Sequence, residues 1–221
     1  MTPLAHRPTA VVFDLDGTLL DTEPLYDIAT NQVLEPHGHT YSMELKKRCM
    51  GGDSMRTARL TVAEYDLPMA PEEFLRQRND FLQSLFPTSP EIDGAGEFVN
   101  LLADLGIPFG LATSSHRDLF ELKTSQKPWH TRFSAVVCGD DPRVKNGKPA
   151  PDIFLACAAA IGMAPGDCIA FEDSPTGISA ARAAGMTVIA VNSPYVEADD
   201  LHEADAIIDN YRELPTLASG W

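Results

Sequence analysis

Two carboxylates stand two residues apart in the run Val11-Val12-Phe13-Asp14-Leu15-Asp16-Gly17-Thr18-Leu19-Leu20. An apolar, β-prone segment delivers them into a Gly-Thr turn. Side chains alternate along a strand, so Asp14 and Asp16 share a side wherever the extended geometry continues. Like charges so placed repel unless a cation or a shared proton intervenes. The pair therefore suggests a metal-assisted site, although an isolated pair of this kind also reads as a polar turn after a strand.

Three further polar clusters follow short apolar runs. Thr113-Ser114-Ser115 comes after the run ending at Ala112. Gly139-Asp140-Asp141, and then Gly147-Lys148-Pro149, come after the run ending at Cys138. Glu172-Asp173-Ser174 comes after the run ending at Phe171. Each cluster alone reads as turn chemistry or helix capping. In open parallel sheets, however, ligand sites lie beyond the carboxyl ends of the strands, and these clusters fall at corresponding positions. Lys148 alone reads as a solvated loop lysine, but Pro149 fixes the chain beyond it and the acidic cluster needs a cation. Asp140 and Asp141 read equally as braces for the Lys148 loop or as solvated turn residues, and Asp152 reads as a partner of a helix N-terminus. His37 and His39 read as solvated, and His116 and Arg117 as helix surface.

Strand and helix patterns alternate from Gly94 onward. Helices are expected over 97–105, 117–124, 151–161 and 176–184, and strands over 108–112, 135–138, 168–171, 187–191 and 206–208. This rhythm predicts an α/β fold with a doubly wound, mostly parallel sheet. Between the first strand and Gly94 the pattern is helical only, over 26–35, 43–50, 56–65 and 71–85. A small all-helical domain inserted after the first strand is expected, with 22–90 as the insert and 1–21 with 91–221 as the core.

At 221 residues and 44% hydrophobic the chain can bury a substantial core. Its formal charge of −15 opposes nucleic acid and anionic membrane surfaces as general partners. A phosphorylated metabolite would be repelled too, so it must be met by local positive charge. Cys49, Cys138, Cys157 and Cys168 form no C-x-x-C pair and read as buried reduced thiols rather than zinc ligands. The first residues lack the apolar core of a signal peptide, and no run suits a membrane span. A cytoplasmic monomer is expected.

The segments FDLDGTLLDTE, LATSS, GKPAPDIF and FEDSPTGISAARAAGM, in that order, resemble the motifs of haloacid-dehalogenase-superfamily phosphatases with a helical cap. More narrowly, LPM at 67–69, LFPT at 85–88, GIPFGLATSS, LKTS at 122–125 and GDDPRVKNGKPAPDIFLACA resemble the pseudouridine-5'-phosphatase and glycerol-3-phosphatase-like branch. The resemblance implies a Rossmann-like core, a mobile cap and a Mg²⁺ ion. It implies hydrolysis of a small phosphorylated metabolite, a sugar, nucleoside or polyol phosphate. Asp14 would be the nucleophile that forms an aspartyl-phosphate, and Asp16 the acid and base. Thr113 and the Ser114 amide would bond phosphoryl oxygens, and Lys148 would neutralise charge. The metal would be bound by Asp14, the Asp16 carbonyl and Asp173, with Glu172 as a direct or water-mediated ligand.

Substrate choice would fall to the insert. There Lys47, Arg48 and Gly51 are the candidate binding residues, although the segment reads equally as a basic helix end with a glycine cap. Sequences resembling β-phosphoglucomutase carry a histidine where this chain has Tyr26, which favours hydrolysis over the mutase alternative. A phospho-aspartate receiver, the non-enzymatic alternative, would lack the insert and carry its aspartate on an internal strand.

Overall fold

The computed structural model describes residues 8–49, 54–212 and 214. By their internal contacts they divide into two compact units. One runs to Asp21 and resumes at Pro90; the other is Thr22–Ser89.

In the first unit, six strands form one sheet. They are β1 (Ala10–Phe13), β2 (Phe109–Ala112), β3 (Ala135–Val137), β4 (Cys168–Glu172), β5 (Thr187–Val191) and β6 (Ala206–Ile208). Their order is β3-β2-β1-β4-β5-β6, and every pairing is parallel. β1 lies at the centre, pairing Phe13 with Leu111 on one side and with Phe171 on the other.

A strand's two-residue period sorts its side chains into two layers. Val11, Phe13, Phe109, Leu111, Ile169, Phe171, Ile189 and Val191 enter one buried cluster; Ala10, Val12, Ala112, Cys168, Ala170, Val188 and Ala190 enter the other. Two helices, α5 (Ala95–Asp104) and α6 (Arg117–Thr124), bring Phe98, Val99, Leu102 and Phe120 to the first layer. Two more, α7 (Asp152–Ala160) and α8 (Pro175–Ala183), bring Ile153, Phe154, Cys157, Ile178 and Ala181 to the second. The sheet is thus covered on both faces, as the alternating pattern predicts. In the first layer Phe13 stacks on Phe171 at 5.2 Å and meets Phe98 edge-on at 6.1 Å. All four cysteines are buried and unpaired by disulfides.

Several boundaries shift by one to three residues from expectation, and two of the shifts have plain local reasons. Pro151 precedes α7 as its cap rather than opening it. β3 stops at Val137, and the Cys138 carbonyl passes into the turn by accepting from the Asp141 N–H.

The second unit falls between β1 and β2 in the chain. It holds α1 (Glu23–Leu34), α2 (Met43–Cys49), α3 (Ser54–Glu64) and α4 (Pro71–Leu85). Val33, Leu34, Ala58, Leu67 and Phe74 form its own small core. No helix among the described residues is long and apolar enough to cross a membrane.

Phe98 is fully buried between α5 and the central strands, so Phe98→Ala removes both its transfer energy and its packing. The expected loss is about 3–5 kcal/mol, read as a lower urea midpoint for the unit carrying the sheet.

Candidate active site at the carboxyl edge of the sheet

β1 hands its direction on to Asp14, whose N–H donates to the Phe171 carbonyl at 3.0 Å. With Phe13 level with Leu111 and Phe171, the next residues out are Asp14, Ala112 and Glu172. The turn that follows requires Gly17, at φ +83°. A side chain there would be strained, and its Cβ would collide with the Asp173 carboxylate. The Thr18 hydroxyl donates to Asp173 Oδ1 at 3.2 Å, so the first turn and the turn after β4 hold each other.

Glu172 occupies the centre of the β4–α8 turn. Its Oε2 accepts from the N–H groups of Asp173 and Ser174, both at 2.9 Å, and from the Ser174 hydroxyl at 3.0 Å. Ser174 in turn caps α8, accepting from the Gly177 N–H at 3.1 Å. Only a glycine fits at 177, because a Cβ would overlap the Glu172 carboxyl. The remaining oxygen, Oε1, accepts from Lys148 Nζ at 2.6 Å, and the same ammonium donates to Asp14 Oδ1 at 2.5 Å. Its carboxylate is thus engaged on both oxygens and anchors the turn and Lys148.

The electrostatics follow from enclosing several acids with few cations. Burial pushes the Asp14 carboxyl up to about 7, opposed by Lys148 and reinforced by the charge of Glu172. Asp173 is raised well above the usual carboxylate range, first by burial and then by Glu172 and Asp14. For Lys148 burial acts downward, but Asp14 and Glu172 outweigh it and raise the ammonium's pKa.

Asp16 belongs to a second cluster. Its Oδ1 accepts from Lys123 Nζ at 2.6 Å and its Oδ2 from the Ser115 hydroxyl at 2.9 Å; Lys123 also donates to Ser115 Oγ at 3.0 Å. Lys123, on α6, is 1% exposed. Sequence reasoning missed it, because a lysine in an amphipathic helix reads as surface. The available signal was phase: Lys123 lies three residues after the buried Phe120, on the same face. Thr113, the residue after β2, is buried. Its N–H donates to the Val137 carbonyl at 3.0 Å, and its Oγ1 accepts from the Ser115 N–H at 3.0 Å. Ser114 is exposed, with its carbonyl packed where a Cβ on residue 139 would sit, which explains Gly139.

The loop carrying Lys148 is braced by Asp152, whose Oδ2 accepts from the N–H groups of Lys145 and Asn146, both at 3.0 Å. Asp140 instead accepts from the first N–H of α6, that of Arg117, and Asp141 pairs with Arg143. In the helical unit, Lys47 and Arg48 are exposed, and Arg48 pairs with Glu64 on α3 at 2.7 Å. The buried cations there are Lys46, 2.6 Å from Asp27, and Arg78 on α4. A step of one residue turns a helix by about 100°, which is why Lys46 faces inward and Lys47 does not. Gly51 lies outside the described residues.

The donors fit a hard divalent cation. Across the two clusters four carboxyl groups, those of Asp14, Asp16, Glu172 and Asp173, meet two ammonium groups, those of Lys148 and Lys123. A doubly charged cation would balance the excess. Among the described residues no three carboxylate, imidazole or thiolate groups form a ready-made cage. Magnesium does not require one, since it commonly takes one or two carboxylates and completes its shell with water and substrate phosphate.

A model of the haloacid dehalogenase-like hydrolase family matches residues 11–191. The chain belongs to that family. This haloacid dehalogenase-like hydrolase is 44% identical over 207 residues to the probable pseudouridine-5'-phosphatase of Drosophila melanogaster, covering 92% of this chain and 90% of that protein. It is 39% identical over 206 residues to (DL)-glycerol-3-phosphatase 1, mitochondrial, of Arabidopsis thaliana, covering 90% and 69%. Among solved structures it resembles one from Thermotoga maritima described as a "putative beta-phosphoglucomutase". The TM-score is 0.84 and the identity 29%, over 96% of this chain and 98% of that one.

Lys148→Met would leave Asp14 and Glu172 buried without their shared cation. The expected cost is about 3–5 kcal/mol at neutral pH, measured by denaturant titration in EDTA. Arg48→Ala, which removes an exposed pair, should leave the unfolding midpoint unchanged.

Proposed function

We propose that this phosphatase hydrolyses a small phosphomonoester with the help of Mg²⁺, through a covalent phosphate on Asp14. The observation that carries the reading is the buried Asp14 carboxylate, held at the end of the central strand by a lysine that Glu172 also binds. Such a group is oriented by its lysine, yet remains next to acids that call for a second cation.

Lys148 holds Oδ1 of Asp14, so attack on phosphorus falls to Oδ2. As that O–P bond forms, the bond to the substrate's alcohol oxygen breaks, and its electron pair stays with the leaving oxygen. Asp16 gives that oxygen a proton. In the second half Asp16 takes a proton from water, the water oxygen attacks phosphorus, and the bond to Asp14 breaks to return its carboxylate. The Thr113 hydroxyl, whose oxygen already accepts from the Ser115 N–H, is free to turn its proton toward a phosphoryl oxygen, with the Ser114 N–H beside it. Asp14, the Asp16 carbonyl and Asp173 would hold the Mg²⁺, and Thr18 and Gly17 set the position of Asp173. When bound, the ion screens the nucleophile from the phosphate's negative charge.

These groups recognise only the phosphoryl end of a substrate, so we assign selection among alcohols to the helical unit Thr22–Ser89, acting as a cap. The names of the similar proteins put pseudouridine 5'-phosphate first among candidates and glycerol phosphate second. The Thermotoga structure keeps phosphosugar transfer as a second reading. That reading predicts isomerisation of β-glucose 1-phosphate with a bisphosphate activator, and release of free phosphate alone would reject it.

Phosphate release from a panel of phosphorylated metabolites should require Mg²⁺, stop on chelation and return on its addition. Asp14→Asn should lower turnover by more than about 10³-fold, as loss of a nucleophile does. Turnover in that variant close to the parent rate would overturn the reading.

A further inference from the structure

Asp16, with a proton to deliver and recover, needs its carboxyl group held in place. Asp16 leaves β1 behind and enters a turn, where its side chain would be free to rotate. Two groups stop it, one on each oxygen: the Lys123 ammonium at 2.6 Å and the Ser115 hydroxyl at 2.9 Å, themselves joined at 3.0 Å. The Asp16 side chain is 29% exposed whereas that of Lys123 is 1% exposed, so the clamp grips from the protein side.

We infer that Lys123 is a positioning residue for Asp16, holding its carboxyl group in the orientation from which the proton is exchanged. The inference rests on the acid-base reading of Asp16. Each carboxyl oxygen has two lone-pair directions. The clamp uses one on each oxygen, so both oxygens are held. After transfer to the leaving alcohol, the ammonium faces the carboxylate that remains.

The clamp itself is set in a fixed element. α6 is tied down at its start, where the Arg117 N–H donates to Asp140 and its guanidinium to the Val136 carbonyl. It is tied near its end by Thr124, whose hydroxyl lies 2.6 Å from His130 Nδ1. A group placed from a packed helix is aimed more tightly than one placed from a loop. Burying a lysine is costly, and a purely structural role could have been filled by an apolar side chain at lower cost.

The test compares two substrates in the full-length protein with Mg²⁺ present. Glycerol 3-phosphate expels an alkoxide, which needs a proton, whereas p-nitrophenyl phosphate expels a phenolate stable without one. Asp16→Asn should lower kcat/KM for glycerol 3-phosphate by about 100-fold or more, and for the aryl ester far less. Lys123→Met should reproduce that selectivity, lowering the ratio of the two kcat/KM values by about tenfold or more. The double variant should fall no further than Asp16→Asn. Because the ratio is taken within one preparation, an inactive fraction cancels; if Lys123→Met gives no soluble protein, Lys123→Gln is measured in its place. An unchanged ratio in the lysine variant, or additive losses in the double variant, would overturn the inference while leaving the role of Asp16 intact. An unchanged ratio in Asp16→Asn would overturn the acid-base reading, and this inference with it.

Discussion

Confinement of negative charge at the carboxyl edge of the sheet is the constraint on which the rest of this structure depends. Parallel pairing of β1 with β4 brings Asp14 level with Glu172, and the next residue out is Asp173. Two strands cannot both end in buried carboxylates unless something of opposite sign is built in beside them. Lys148 fills that need from a third direction, the loop between β3 and α7, and touches both acids. The loop has no strand to steady it, so Asp152 at the start of α7 takes up two of its N–H groups. Each of these features is intelligible only because the one before it exists.

The same constraint explains two of the glycines, Gly17 and Gly177. Gly17 leaves the space that Asp173 fills, and Gly177 leaves the space that Glu172 fills. Acids of the β4 turn are therefore packed into gaps left by missing side chains, and their oxygens are met by N–H and hydroxyl groups of fixed position. Glu172 is met by three donors of its own turn and by Lys148, so it ties the turn to the lysine loop.

Much of this was legible in the sequence, and the reasons are specific. β1, β2, β4 and β5 are apolar runs bounded by turn residues, so their ends could be located and the polar clusters after them recognised as neighbours. Asp14, Lys148, Glu172 and Asp173 were each singled out, and the structure brings them together. What escaped notice were buried charges on helices. Lys123 and Lys46 carry the residue type of a surface, and only their helical phase betrays that they face inward. Their carboxylate partners, Asp16 and Asp27, lie 107 and 19 residues away in the chain, so no local pattern records the pairing. Asp152 was legible as a helix start but not as a brace, because its N–H partners belong to backbone.

The register of β1 carries a consequence of its own. Its side chains fall alternately into two apolar layers, and the acids follow without interruption. Displacing the strand by one residue would drive Phe13 into the layer of alanines and Val12 into the layer of aromatic rings. The same displacement would move Asp14 out of reach of Lys148. A misplaced core and a dispersed charge cluster are thus a single event, so a chain that has found its core has also brought Asp14 to Lys148.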